Sequence, residues 1–545
     1  MGRGPGLLAA ASLALDYILN VAVAIAAGVG AVVSALPALL PWTLPLCLAM
    51  LVLLTLVNLR GVRSTSTILL FPTYLFVGCL LTTIAVGVVR AIGADWHPSP
   101  VAPSARVTEA TMPVSAWLLV RAFANGSTAM TGIEAVSNGV PIFRVPSVLG
   151  ARRTLTAITA ILITLLLGVA VLCSIYETTA TPPGEPGYQS VLSQIVGAVS
   201  GRGFFYHLTM AAVVSILALS ANTSFADFPR ICRLLALDSH LPESFAHRGR
   251  RLVFSHGIVV LALMAGLLLV VFEGITDRLN PLFAIGALAS FTLSQVGMVQ
   301  HWRRRPNERA ARRSVLMNAT GALATGVTLV VVTIAKLGEG AWLSIVLILG
   351  LRGIFVRVRR HYDMLDREVA LAGPIDLRPL PTPHVVVPIR RWDRAAQRAL
   401  QLATTLSNDV SVLQVLTSER RQDDLSAHWR DLTETPAARP DVPAPRLVVL
   451  TSEYRELFAP ILDFVLRIQD EDPTRDVAVV VPQMIPTHWS SAWIDNPSAT
   501  LLKPLLLFLG GPRVVVISTP WHVGETGGPL HVSELGTRLF ASRGR

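Results

Sequence analysis

The sequence predicts an α-helical integral membrane protein that carries a cytosolic α/β domain at its C-terminus. Of the 545 residues, 52% are hydrophobic and only 15% are charged, whereas about a quarter of the residues in soluble domains are charged. About ten apolar stretches long enough to cross a membrane occupy the first 360 residues. After about Gly373 the charge rises, prolines appear and the apolar runs shorten to the length of β-strands.

The membrane spans are predicted from long apolar stretches that polar connections separate. They cover residues 7–34, 43–58, 66–90, 115–140, 154–176, 204–232, 253–272, 280–300, 316–336 and 340–357. Every second connection is rich in arginine, as around Arg60, Arg152, Arg250 and Arg304, and the connections between them contain few basic residues. This alternation follows the positive-inside rule and predicts that both termini are cytoplasmic. The net charge of +11 therefore reflects membrane topology, and we expect no nucleic-acid partner.

The cysteines and histidines give no sign of a resident metal or of a catalytic centre. The four cysteines lie in or beside apolar spans, without the spacing of a metal site or a disulfide, and the twelve histidines are scattered. We therefore predict no cofactor, no structural metal and no catalytic residue. The protein is not expected to be an enzyme.

The C-terminal part is predicted to be a doubly wound α/β domain of the universal-stress-protein-like type. We divide the chain into a transporter domain (1–360), a linker (361–380) and this domain (381–545). Five apolar runs read as buried parallel strands, at 384–389, 409–416, 446–452, 476–484 and 513–519, and helices are predicted at 393–405 and 457–469. Because PIRRWDRAAQRAL after the first strand contains no glycine, a phosphate-binding loop is missing there, which favours a regulatory or stabilising domain.

One candidate site lies in GSTAMTGIEAVSNGVP, residues 126–141. Glu134 is costly inside a span, and Gly126, Gly132 and Gly139 weaken the helix around it. Irregular backbone at membrane depth persists only where protein buries it or where it lines a wet cavity. Thr131 lies one turn before Glu134 on the same helix face. The segment therefore predicts a substrate or ion site in a broken helix, the alternative being a helix end at the interface with a solvated Glu134.

A second group of candidate residues lies in the first span. Asp16 and Asn20 are one helical turn apart on one face, and Tyr17 adds a hydroxyl group beside them. These side chains could supply oxygen ligands to an ion. The alternative is that Asp16 lies at the membrane interface and is stabilised by the helix dipole.

A third group lies in NTSFADFPR, residues 222–230. Asn222 and Thr223 interrupt a long apolar helix and are candidate ligands. Asp227 and Arg230 close the cytosolic end of the same helix, where they are predicted to form a gate or an interfacial ion pair.

Six segments carry a family resemblance, and they span the chain's membrane part: NLRGVRST, FPTYLFV, TGIEAVSNGVP, NTSFADFPR, RLVFSHG and FTLSQVGMVQHW. They resemble the amino acid–polyamine–organocation permease superfamily, most closely its KimA branch of proton-coupled potassium importers. The resemblance covers essentially the whole chain and implies a LeuT-type inverted-repeat fold of twelve spans. It also implies ion binding between broken helices 1 and 6, and a C-terminal domain that binds cyclic di-adenylate.

The resemblance also assigns site positions. Asp16, Tyr17, Thr131 and Glu134 match the ion-site positions of the family, whereas Asn20 and Ala24 stand where its members carry hydroxyl residues. The first span corresponds to helix 3 of the family. We therefore expect the sequence to be truncated at its N-terminus, with helices 1 and 2 absent.

These observations predict a secondary transporter in the lipid bilayer that takes up potassium with protons. Glu134 would be the protonatable residue, and we expect a homodimer with a cyclic dinucleotide as regulator. One alternative is an amino-acid permease of the same fold, whose broken helix would bind a substrate carboxylate. A second alternative is a membrane sensor that transports nothing and acts through its cytosolic domain.

Overall fold

The computed structural model describes residues 2–61, 66–103, 115–126, 140, 143, 146–247, 254–306, 311–370, 373, 378–417, 424–433, 443–452, 456–485 and 498–522. The chain divides into two compact units, Met1–Ala370 and Leu371–Arg545. The first unit is helical, and the second combines helices with a parallel β-sheet.

The first unit contains eleven helices within the described residues. They are α1 (Arg3–Ala35), α2 (Thr43–Leu59), α3 (Ser66–Gly93), α4 (Ala116–Gly126), α5 (Ser147–Ile175), α6 (Val191–Ser200), α7 (Phe204–Leu237), α8 (Ser255–Val271), α9 (Thr276–Arg303), α10 (Ala311–Lys336) and α11 (Trp342–Val369). Each predicted span overlaps one of them. Seven helical stretches in the described part are long and apolar enough to cross a membrane. The prediction of a helical, membrane-spanning region is thus confirmed.

Helix α1 lies at the centre of this unit. From Ala11 to Ser34 every one of its residues is buried or half-buried. It packs against α7, α8, α9 and α11. Small side chains at Ala11, Ala22 and Ala26, all at most 1% exposed, let the neighbouring helices approach closely. A helix that is apolar around its whole circumference is expected to be surrounded in this way.

Helix α6 lies in the connection between the predicted spans 154–176 and 204–232, where the sequence predicted no helix. Ser190 caps its N-terminus by accepting a hydrogen bond from the Ser193 amide at 3.3 Å. Residues Ser193–Val199 are all buried. The helix is too short to span a membrane, so a search for long apolar stretches passes over it.

The second unit is a five-stranded parallel sheet with helices packed on it. Its strands are β1 (His384–Ile389), β2 (Val410–Thr417), β3 (Arg446–Ser452), β4 (Val477–Ile485) and β5 (Val514–His522). The helices are α12 (Arg394–Leu406), α13 (Trp429–Thr433), α14 (Phe458–Glu471) and α15 (Ser498–Leu509). The strand order is β3-β2-β1-β4-β5, and all pairs are parallel. This confirms the predicted α/β domain with a parallel sheet.

Helices cover both faces of this sheet, because successive residues of β1 face opposite sides. Val385 and Val387 pack with Ala399 of α12, whereas Val386 packs with Val465 of α14 and Leu506 of α15. The observed strands start within one residue of the predicted ones. Asp393 caps α12 by accepting a hydrogen bond from the Ala396 amide at 2.9 Å.

The boundary between the units falls at the end of α11. This helix continues through Val369, so residues 361–369, which were predicted to belong to the linker, are helical. An ion pair one turn apart, between Arg359 Nε and Asp363 Oδ1 at 2.9 Å, supports the helix there.

Candidate functional site

The polar residues predicted in the first span lie inside α1, far from either end of the helix. Asp16 is 1% exposed and Tyr17 is 5% exposed, and Asn20 is half-buried one turn further along. Ala24 follows at 4% exposure and offers no oxygen ligand. Because Asp16 lies fourteen residues into a helix that starts at Arg3 (positions 3 to 16), it is not part of the first turn, where the helix dipole acts.

Asn20 joins α1 to α7. Its Nδ2 atom donates hydrogen bonds to the Ser220 carbonyl at 3.2 Å and to Ser224 Oγ at 2.8 Å. The two amide protons are thus directed to α7, and Oδ1 is the atom of Asn20 that can accept a hydrogen bond or coordinate a cation. The side chain therefore has a packing role and leaves one oxygen for a ligand.

Ser224 is a residue of this site that the sequence analysis missed. It is 0% exposed and lies on the face of α7 that also carries Ala221, Phe225 and Phe228, all of them buried. The spacing 221, 224, 225, 228 is that of one buried helix face. Applied to NTSFADFPR, this spacing could have identified Ser224, and not Asn222 or Thr223, as the polar residue on the buried face.

In the described hydrogen bonds, neither Asn222 nor Thr223 bonds directly to the Asn20 side chain. Asn222 Oδ1 accepts a hydrogen bond from Asn58 Nδ2 at 2.7 Å, which joins α7 to the end of α2. Thr223 is exposed, and its hydroxyl group donates to the Ser220 carbonyl of its own helix at 2.7 Å. The structure therefore does not bring these two side chains together with Asp16, Tyr17 and Asn20, and their assignment as ligands stays a prediction.

Asp227 and Arg230 form an ion pair within α7. Arg230 Nη1 lies 3.0 Å from Asp227 Oδ1, with Arg230 about half exposed. A pair three residues apart on one helix stabilises that helix modestly. A gate would require a partner on a second element, so the predicted gating role remains untested.

The neighbouring Pro229 packs against α8. A Cβ atom built on Gly257 would lie 2.8 Å from Pro229 Cβ and 2.9 Å from Pro229 Cα. Only glycine allows this approach of the two backbones. Pro229 belongs to the segment NTSFADFPR and Gly257 to RLVFSHG, so two of the segments that carry the family resemblance meet at this contact.

Helix α9 backs the site on another side of α1. A Cβ atom built on Gly286 would lie 3.5 Å from the backbone nitrogen and Cα of Asp16. Leu282, Phe283 and Ile285 around this glycine are buried. The position of Asp16 is therefore set by backbone packing of α1 on α9, as expected for helices that meet at small residues.

The broken-helix segment is described only at its start. Helix α4 runs to Gly126, and a Cβ atom there would have open space around it. Thr131, Gly132, Glu134 and Gly139 lie outside the described residues. Their predicted roles are therefore neither supported nor contradicted by the geometry.

The described part of the site offers oxygen atoms from a carboxylate, a phenol, an amide and a serine hydroxyl group, on two packed helices. Hard cations prefer such oxygen ligands. Within the described residues, no group of three or more His, Cys, Asp or Glu side chains is arranged to hold a metal ion.

Comparison with known proteins agrees with the family resemblance of the sequence. Residues 1–351 match the amino acid permease family, and residues 382–521 match the C-terminal domain of the KimA potassium transporter. The chain is 32% identical over 532 residues to the potassium transporter KimA of Bacillus subtilis (strain 168). The similarity covers 96% of this chain and 83% of the relative.

Proposed function

Because the chain belongs to the amino acid permease family and resembles a potassium transporter over nearly its whole length, we propose that it imports potassium together with protons. One structural observation carries this proposal. A carboxylate that is 1% exposed, Asp16, lies in mid-helix, next to Tyr17 in the chain and one helical turn before Asn20. An acidic side chain inside a membrane span is retained where it serves an ion pathway or a substrate.

In this proposal, Thr131 and Glu134 complete the cation site. Glu134 would be the protonatable residue, and proton binding and cation binding would be coupled through its charge. Asp16, Tyr17 and Asn20 would supply oxygen ligands. The segment GSTAMTGIEAVSNGVP supports this role, since its glycines favour the irregular backbone that such sites use.

The test is rubidium uptake into a bacterium that lacks its own potassium importers and expresses the protein. Uptake should rise as the external pH is lowered from 8 to 6, since the proton is the co-substrate. Asp16→Asn should reduce uptake strongly, whereas Ser12→Ala, one turn earlier on α1, should not. Ser12 is a suitable control because its hydroxyl group donates only to the Leu8 carbonyl of its own helix among the described contacts.

An amino-acid permease is the second candidate, because the family that matches residues 1–351 is named for the transport of amino acids. Labelled amino acids decide between the two. Uptake of an amino acid without any rubidium or potassium uptake would replace the cation proposal. Ligand binding to the C-terminal domain without flux of either substrate would favour a membrane sensor.

The proposed topology places both termini in the cytoplasm of a cell whose membrane the protein spans several times. Arg303 is the last residue of α9 and Arg304 and Arg305 follow it, while the connection after α10 contains Glu339 and no arginine. This alternation supports the orientation. Cysteine labelling from outside intact cells, at positions in the two kinds of connection, would test it.

The C-terminal domain is proposed to be a regulatory, universal-stress-protein-like domain that binds a cyclic dinucleotide and pairs with a second copy. An apolar face supports pairing: Leu507 is 62% exposed and Phe508 is 87% exposed on α15, beside the edge strand β5. Exposed apolar patches of this kind mark interaction surfaces. Calorimetric titration of the purified full-length protein with cyclic di-adenylate tests the ligand.

A further inference from the structure

Helices α9 and α10 form a hairpin whose connected ends carry a group of arginines. Both helices are long and apolar enough to cross a membrane. Arg303 is the last residue of α9 and Arg304 caps its C-terminus, while Arg312 and Arg313 lie in the first turn of α10. These four residues, here called the arginine cluster, therefore flank one short connection between two spans.

The register of the two helices follows from contacts within their apolar parts. Thr292 Oγ1 on α9 lies 3.0 Å from Thr325 Oγ1 on α10, within hydrogen-bond distance. About one turn further along α9, a Cβ atom built on Gly321 of α10 would lie 3.2 Å from Gln295 Cδ. The helices are thus antiparallel neighbours, and about two more turns bring the last residue of α9 level with the first turn of α10. The arginine cluster therefore lies at one level, at one end of the hairpin.

The cluster has no acidic partner among the described residues. All four side chains are exposed, and none of them forms an ion pair or a side-chain hydrogen bond in the part of the chain that the structure describes. Glu308 in the connection lies outside that part, and the stretch 303–313 contains six arginines against this one acidic residue. Positive charges in the first turn of α10 are also disfavoured by the helix dipole. An anion from outside the chain would relieve both effects.

The place of the cluster indicates which anion it meets. It lies directly at the ends of two membrane-spanning helices, where lipid headgroups are found. Trp302, half-buried in the last turn of α9, is of the residue type that is enriched at this interface. The guanidinium group matches the geometry of a phosphate with two parallel hydrogen bonds. Groups of four or more basic residues beside a span attract anionic lipids.

We propose that the arginine cluster binds the phosphate groups of anionic phospholipids at the connected ends of α9 and α10. The inference depends on the hairpin crossing a membrane and does not depend on which substrate is transported. One basic residue near an anionic membrane surface changes affinity about fivefold, so removing two should weaken the preference for anionic lipid by at least about fivefold.

The experiment measures the lipids that bind to the purified full-length protein in detergent. Equal amounts of phosphatidylglycerol and phosphatidylcholine with the same acyl chains are added, and native mass spectrometry counts the bound molecules of each. The wild type should bind more phosphatidylglycerol. Arg303→Gln/Arg304→Gln and Arg312→Gln/Arg313→Gln should each lower the ratio of the two lipids at least about fivefold.

Two further variants separate binding by the cluster from a change in total charge. Arg312→Lys/Arg313→Lys keeps the charges and should keep most of the preference, because lysine also binds phosphate, as a point charge. Arg394→Gln/Arg398→Gln removes two exposed arginines from α12 in the other unit and should leave the lipid ratio as in the wild type.

Inorganic phosphate distinguishes a lipid site from a site for soluble phosphates. Phosphatidylglycerol should raise the melting temperature of the wild type more than phosphatidylcholine does, and the two glutamine variants should lose this difference. If inorganic phosphate at the same concentration raises the melting temperature as much and displaces the lipid, the cluster binds soluble phosphates and the lipid proposal fails. Equal binding of the two lipids by the wild type, or an unchanged ratio in both glutamine variants, would also refute it.

Discussion

Asn20 illustrates how a single side chain can serve both packing and binding. Its amide protons bond to the Ser220 carbonyl and to Ser224 Oγ, which leaves Oδ1 for a cation. The sequence indicated that an oxygen atom would be available here, but it could not show where the protons point. That direction depends on the rotation of α7 against α1, which is a property of packing and not of local sequence.

Ser224→Ala tests this interhelical bond. Removing the hydroxyl group leaves Asn20 Nδ2 with one acceptor on α7, and we expect a loss of about 0.5–1.5 kcal/mol in the free energy of unfolding. Thr223→Ala is the matched control, because Thr223 bonds to its own helix and is exposed. It should cost less than about 0.5 kcal/mol. Thermal melting of the two purified variants measures the difference, and equal melting temperatures would contradict the assignment.

Glu134→Gln tests the coupling of proton and cation. Glutamine keeps the size and one oxygen but cannot release a proton, so pH-driven rubidium uptake should be abolished. Loss of the ionic ligand should weaken cation binding by more than about 1 kcal/mol. Thr131→Ala should weaken binding but leave uptake dependent on pH, since no titrating group is lost.

The decisive measurement is uptake at several external pH values for both variants. If Glu134→Gln keeps the pH dependence of the wild type, Glu134 is a solvated carboxylate at the interface and the coupling proposal fails.

At the scale of the elements, the sequence predicted the long helices and the five strands well. Their signals are local: α5 and α7 are long apolar stretches, and β1 and β4 are short runs of valine. Helix α6 escaped because its burial comes from α3, α5 and α7 packed around it. The apolar surface of a ten-residue segment is too small to indicate, from the sequence alone, that other helices surround it.

Gly257→Ala tests the contact of α8 with α7. The new Cβ would meet the backbone of Pro229 at 2.9 Å, where neither helix can yield locally. Overpacking of this kind costs about 1–3 kcal/mol, against a gain of up to about 1 kcal/mol from the helix propensity of alanine. Gly266→Ala on the same helix is the control, because its Cβ would meet only the flexible end of Leu51 at 3.2 Å. We expect Gly257→Ala to melt at a lower temperature than Gly266→Ala, and the reverse order would show that the helices can separate there without cost.

At the scale of the whole molecule, the chain combines a helical unit, Met1–Ala370, with an α/β unit, Leu371–Arg545. The change in composition near Gly373 predicted two parts, because apolar runs of span length and of strand length differ about threefold in length. What the sequence could not show is which surfaces stay uncovered within each unit. Exposure of Leu507 and Phe508 depends on how α15 lies against β5, so it becomes visible only in the fold.

Phe508→Glu tests pairing through this surface. Phe508 is 87% exposed, so its removal should leave the fold of the domain intact, since no packing is lost within one chain. A charge on an apolar interface, however, must be desolvated when two copies meet, and this costs several kcal/mol without a partner of opposite sign. We therefore expect purified Phe508→Glu protein in detergent to change from a dimer to a monomer in light scattering.

Leu380→Glu, at a position 78% exposed before β1, adds the same charge away from α15 and should remain dimeric. If both variants keep the mass of a dimer, the copies pair through another surface; if the wild type is itself a monomer at micromolar concentration, the exposed face of α15 has a different partner.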